Sequence, residues 1–189
     1  FVGENTYDYS GKPVSSAGDV DGDGLADLLI GAHYNSDGGS LAGKTYLFFG
    51  STVSSGGSWD LSQADASFVG ETAWDSSGYS VSSAGDVDGD GLGDLLIGAY
   101  YNDSGLAYAG KTYLFLGSTI GAGGPFYLSA ADASFVGESA NDFSSWSVAS
   151  AGDVDGDGLS DLLIGAYANA DGGSFAGKTY LFLGASIAA

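Results

Sequence analysis

Ser77-Gly78-Tyr79-Ser80-Val81-Ser82-Ser83-Ala84-Gly85-Asp86-Val87-Asp88-Gly89-Asp90-Gly91, followed after two residues by Asp94-Leu95-Leu96-Ile97-Gly98-Ala99, holds both the chemistry and the fold of this chain. Asp86, Asp88 and Asp90 place carboxylates at alternate positions, and Asp94 follows on the same loop. A hard divalent cation takes six to eight oxygen ligands, best supplied by carboxylates and carbonyls on a loop that curls around it. Gly89 and Gly91 give that loop its freedom to turn. Leu92 can offer its carbonyl while its side chain points to the core, and Asp94 closes the shell. The apolar run after it is strand-like, so the metal loop is expected to join two adjacent strands.

The pattern occurs three times. The same roles fall to Asp19, Asp21, Asp23, Leu25 and Asp27, and to Asp153, Asp155, Asp157, Leu159 and Asp161. An EF-hand would need a bidentate Glu at loop position twelve and a helix on each side. Position twelve is Ile30, Ile97 or Ile164, and the flanks are strand-like. Magnesium would demand stricter octahedral geometry and retained waters, so Ca2+ is the expected ion, at three sites, one per repeat. A solvated acidic turn without metal would leave these carboxylates repelling one another. The ions are expected to be structural, their binding coupled to hairpin formation.

The loops belong to a longer repeat. Phe1-Val2-Gly3-Glu4 returns at Phe68 and at Phe135, and Gly43-Lys44-Thr45-Tyr46 returns at Gly110 and Gly177, always 67 residues on. This divides the chain into units 1–67, 68–134 and a truncated 135–189. In the first unit, Val14–Ala17, Leu28–Ile30, Lys44–Phe49 and Ala66–Val69 read as short strands separated by Gly, Asn, Ser and Asp clusters. No sustained 3.6-residue period is present, and 34 glycines argue against long helices. The expected fold is all-β, with three four-stranded antiparallel meanders forming β-propeller blades, the last blade incomplete in the chain. A solenoid of stacked sheets is the alternative.

With these residues in view, the chain resembles the FG-GAP repeat family, the blades of the integrin α-subunit propeller and its bacterial relatives. Ser77 to Gly91 and Asp94 to Ala99 carry the resemblance. The family's Phe-Gly reads Ser10-Gly11, Ser77-Gly78 and Ser144-Ser145, and its Gly-Ala-Pro ends in His33, Tyr100 and Tyr167. The resemblance implies a propeller with calcium loops and a role in adhesion.

Composition excludes several classes. Net charge is −20, with four Lys and Arg together, which opposes binding to nucleic acid or an anionic membrane surface. No apolar run is long enough to span a bilayer as a helix. Half of the 24 acids sit in the three loops, so the acidity is concentrated chemistry and not the composition of a disordered chain. Without cysteine there is no disulfide, thiolate or zinc–thiolate site. Weak repeated calcium sites suit the millimolar calcium outside cells, which places the chain in the extracellular space.

No enzyme is expected. The lone His33 has Tyr100 and Tyr167 at its equivalent positions and reads as a surface residue. Glu4, Glu71 and Glu138 recur with the repeat, which favours a structural role such as bonding backbone amides at a turn. The face opposite the Asp loops collects Tyr7, Tyr9, His33, Tyr34, Trp74, Tyr100, Tyr101, Phe143 and Tyr167, which either pack between blades or offer rings to a protein or a glycan. Two function classes remain: a calcium-stabilised structural or adhesive module, and a calcium-dependent lectin. Three units are too few to close a propeller, and an unpaired edge invites another chain. Phe1–Glu4 of one molecule is therefore expected to complete the third blade of another, head to tail, as a ring or a filament, unless the chain is a piece of a longer propeller.

Overall fold

Each Asp loop does join two strands. A computed structural model describes residues 1–187. In its first blade, Val14–Gly18 (β1), Asp27–Ala32 (β2), Lys44–Phe48 (β3) and Ala66–Val69 (β4) form an antiparallel meander in that order. The second blade repeats it with Ser80–Gly85 (β5), Asp94–Ala99 (β6), Lys111–Phe115 (β7) and, after a further short strand Gly124–Tyr127 (β8), Ala133–Val136 (β9). The third has Ser147–Gly152 (β10), Asp161–Ala166 (β11) and Lys178–Phe182 (β12). These are the three blade-like sheets that the repeat predicts, and the third ends its pairing at β12 among the described residues.

One strand was not expected. β8 lies parallel to β4, so a segment of the second unit adds a fifth strand to the edge of the first blade. Its Gly124-Pro125 start reads as a turn in sequence, and proline is tolerated in a sheet only at such an edge. The isolated parallel bridge between Val2 and Asp60 stands at the equivalent place one repeat earlier.

The register slips between Ser16 and Gly18, and again between Ser83 and Gly85 and between Ser150 and Gly152. A bulge bends its strand and re-aims the residues beyond it. Here it turns the chain directly into the Asp loop, with Gly18 at φ 82°.

The core lies between blades. Leu47, Val20 and Phe68 of the first pack with Val81, Leu95, Ile97 and Phe115 of the second. Leu114, Val87 and Leu96 meet Leu162 and Phe182 in the same way at the next junction. Each side chain of this size, fully buried, contributes about 1.5–3 kcal/mol. The alternating strand pattern thus serves the neighbour as much as the blade itself.

Candidate metal centre

Each loop is wound by its own carboxylates. Asp19 accepts hydrogen bonds from the amides of Gly22 (2.8 Å) and Gly24 (2.9 Å). Asp21 accepts from the Asp23 amide (3.1 Å) and Asp23 from the Leu25 amide (2.8 Å). The second loop repeats all four bonds from Asp86, Asp88 and Asp90, and the third repeats them from Asp153, Asp155 and Asp157. Gly22 and Gly24 stand at φ 77° and 86°, a conformation that side chains resist.

The winding draws carboxylate oxygens together. One oxygen from each of Asp19, Asp21 and Asp27 lies within 4.8 Å of the others, as do those of Asp86, Asp88 and Asp90, and of Asp153, Asp155 and Asp161. Three like charges at that separation repel one another, and a cation among them would relieve the repulsion. The donors are all hard oxygens, which fits Ca2+. Asp23, Asp94 and Asp157 stand outside these closest triads while keeping their places on the loops.

The fourth acid has a second duty that its spacing does not reveal. Asp27 is fully buried, and its two oxygens accept from the amides of Val20 (2.8 Å) and Gly50 (2.7 Å). Asp94 does the same with Val87 (2.7 Å) and Gly117 (2.8 Å), and Asp161 with Val154 and Gly184. This residue therefore fastens the start of the loop to the chain leaving the third strand. Burial pushes the Asp94 carboxyl up to about 6 against the pull of the two amides, and Asp27 moves in the same direction for the same reason.

The loop leucines do not fill their own blade's core as expected. A Cβ on Gly22 would stand 3.1 Å from Leu92 Cδ2, and one on Gly89 would stand 3.0 Å from Leu159 Cδ2. Each leucine leans on the loop of the preceding blade. Leu25 is 45% exposed.

The recurring glutamates bind side chains, which corrects the expectation of backbone amides. Glu4 accepts from Lys44 Nζ (2.8 Å) and the Tyr46 hydroxyl (2.6 Å); Glu71 accepts from Lys111 Nζ (2.9 Å) and the Tyr113 hydroxyl (2.8 Å). Glu138 pairs with Lys178. Each lysine also sits over the ring of its tyrosine, 4.7–5.0 Å from the centroid. A glutamate just beyond β4 or β9 thus ties its blade to the third strand of the next. The signal was in the sequence, since Phe-Val-Gly-Glu and Gly-Lys-Thr-Tyr recur with one period. Their contact spans 40 residues, so only the fold reveals it. A second buried tie was missed for the same reason: the amides of Asn35, Asn102 and Asn169 donate to Asp8, Asp75 and Asp142 at 2.7–2.8 Å.

Burial opposes the charge on Glu71, but Lys111 and Tyr113 outweigh it and hold the carboxyl below its ordinary 4.5. A depressed folded value means that the tie stabilises above the unfolded pKa and is lost as pH falls through the folded one. Glu71→Gln is expected to cost about 1 kcal/mol at neutral pH. The difference from the unsubstituted chain should begin to shrink in denaturant melts as pH falls below 4.5 and vanish only once pH is below the depressed folded value.

On the opposite face, His33 is buried, not at the surface as expected. Its Nδ1 donates to the Lys12 carbonyl at 3.2 Å, and Tyr34 and Tyr79 pack on its ring. Burial holds its pKa down. Tyr100 is buried too, whereas Tyr7, Tyr9, Trp74, Tyr101 and Tyr167 keep exposed rings. A cleft of about 470 Å³ opens here, and Leu41, Trp74, Ser76, Tyr108, Asn141 and Phe143 in its wall all have left-handed backbones. Paired loops hold them there: Trp74 and Ser76 donate their amides to Ser40 and Leu41, and Asn141 and Phe143 to Ala107 and Tyr108.

Several proteins are similar in sequence to most of this chain. Integrin alpha-PS2 of Drosophila melanogaster is 30% identical over 175 residues, covering 89% of this chain and 12% of its own length. Integrin alpha-IIb of Mus musculus is 32% identical over 170 residues, covering 87% and 15%. Phosphatidylinositol-glycan-specific phospholipase D of Dictyostelium discoideum is 28% identical over 195 residues, covering 96% and 20%. The chain thus spans a small part of each. The FG-GAP repeat model matches residues 14–48, 77–115 and 145–182, each time from the first strand through the Asp loop to the third strand. Sequence match and blade geometry coincide three times over, and the chain belongs to the FG-GAP repeat family.

Proposed function

We propose that this chain is a calcium-stabilised extracellular module of structural or adhesive type. Its units 1–67, 68–134 and 135–189 act as successive propeller blades, each with one Ca2+, that bind other protein chains and assemble head to tail with copies of the same chain. The observation that carries this reading is the convergence of three carboxylates at every Asp loop. The integrin relatives favour protein partners and a cell-surface setting. No catalytic role is assigned: His33 is held by a carbonyl and packed among rings, and each repeated glutamate is held by a lysine. The phospholipase relative shares only a fifth of its length with this chain.

Calorimetric titration of the calcium-stripped chain tests the proposal. Three bound ions per chain are expected, with no comparable response to magnesium. Binding of fewer than three would remove the one-per-blade assignment.

The strained aromatic cleft favours a second reading, a lectin. Exposed rings beside the Ser76 hydroxyl and the Asn141 amide suit a neutral sugar. The cleft and the Asp loops lie at opposite ends of the strands, so any calcium dependence would act through the fold. A glycan array with and without chelator separates the two readings: no glycan bound in calcium leaves the protein-binding module alone.

A further inference from the structure

The aromatic cleft opposite the Asp loops lies inside the array, and neither end of the chain lines it. Tyr34 comes from the first blade and Tyr101 and Tyr108 from the second, while Trp74, Ser76, Asn141 and Phe143 come from the loops that enter the second and third. Tyr101, Tyr108 and Phe143 hold one another, with ring centroids 5.6–6.0 Å apart. Two loops reach the cleft by one device. In Trp74-Asp75-Ser76 and Asn141-Asp142-Phe143 the outer residues are left-handed and line the cleft, while the aspartate between them is 1% or 3% exposed. Each of these carboxylates takes the amide of a neutral partner, Asn102 or Asn169. Among the described residues, the lysines pair instead with Glu4, Asp37, Glu71, Glu138 and Asp171. Two buried carboxylates thus stand behind the rings with no lysine to balance them.

We propose that this cleft binds a small quaternary-ammonium compound of the choline type, with its trimethylammonium group among the rings of Trp74, Tyr101, Tyr108 and Phe143. The assignment goes beyond the calcium module and depends on no ion at the Asp loops. A cation within about 6 Å of a ring face is drawn to its π-electrons. A quaternary nitrogen suits this site because it carries methyl groups and no N–H, so it gives up little on leaving water for walls made mainly of rings. Asp75 and Asp142 add a negative field where charges are partly desolvated and act more strongly than in bulk water. Burial pushes the Asp75 carboxyl up to about 6, against the pull of the Asn102 amide, which leaves it ionised at neutral pH. A neutral sugar would use the rings and leave both carboxylates idle. A phosphate on the ligand would meet those carboxylates and a net charge of −20, so the compound bears no anionic group. The volume of about 470 Å³ takes a whole molecule of this size. Left-handed backbone at four of the lining positions in the two loops is the kind of strain that ligand clamps store.

Calorimetric titration of the 189-residue chain in millimolar calcium tests this. Choline is expected to bind about tenfold more tightly than neohexanol, in which carbon replaces the nitrogen, and more tightly than phosphocholine or glucose. Trp74→Gly and Tyr108→Gly each remove an exposed ring where the backbone, at φ 76° and 51°, is one that glycine adopts freely. Both should keep their circular dichroism and bind choline about tenfold more weakly. Asp75→Asn keeps the shape of the buried group and should weaken choline about threefold to tenfold while leaving neohexanol unchanged. The proposal is overturned by no choline binding, by equal binding of neohexanol, or by tighter binding of phosphocholine or glucose. It is overturned equally by choline binding that either glycine variant, or a folded Asp75→Asn variant, leaves unchanged. Three calcium ions per chain with no choline bound would end this assignment and leave the calcium-module reading standing.

Discussion

Removing calcium with EDTA is expected to lower the melting temperature of this chain by roughly 15–30 °C, enough to unfold it near physiological temperature. The loops are wound so that three carboxylates per blade converge within 4.8 Å. Without a cation that arrangement is repulsive, and with one it is a binding site. When free ion is about 100-fold above the dissociation constant, each site adds ~2.7 kcal/mol. Three such contributions rival the ~5–15 kcal/mol that an ordinary domain has in total. Differential scanning calorimetry in calcium and in EDTA checks this. Equal melting temperatures would show that the loops are acidic turns and not structural metal sites.

Asp94→Ala is expected to destabilise the chain by about 2–6 kcal/mol, and to do so in EDTA as well as in calcium. The reason lies in its two amide partners. Removing the carboxylate leaves the Val87 and Gly117 amides without their acceptor at a buried site, at about 1–3 kcal/mol each. Asp88→Ala provides the contrast, because Asp88 is half-buried and, among the described residues, accepts only the Asp90 amide. It should cost stability in calcium and very little in EDTA. Chemical denaturation of both variants in both conditions gives four values. An Asp94→Ala cost that disappears in EDTA would mean that this residue acts through the metal alone.

The contrast also marks how far the sequence could be read. Alternating carboxylates with glycines between them can do little but curl, so the winding of the Asp loops was legible, while the buried amide ties of Asp27 and Asp94 were not. The 67-residue recurrence then placed three meanders. Features that depend on the neighbouring blade were not legible. Glu71 could not be matched to Lys111 and Tyr113, because nothing local brings residues 40 apart together. Leu92 looks like a core residue of its own hairpin until the preceding loop is there to receive it. His33 reads as a surface residue because the groups that cover it are distant in sequence, Lys12 earlier in its own unit and Tyr79 in the next. β8 was hidden by Pro125, which suits an edge and argues against a strand anywhere else.

The leaning leucines couple the three Asp loops. The middle loop is braced on both sides: Leu92 rests on Gly22, Leu159 rests on Gly89, and the Ser160 amide holds the Asp86 carbonyl. Under the proposed calcium reading, each loop enters its neighbour's binding equilibrium, as adjacent units do in a one-dimensional chain with nearest-neighbour coupling. An ion that orders one loop would lower the entropic cost of ordering the next, so on that reading filling is expected to be cooperative.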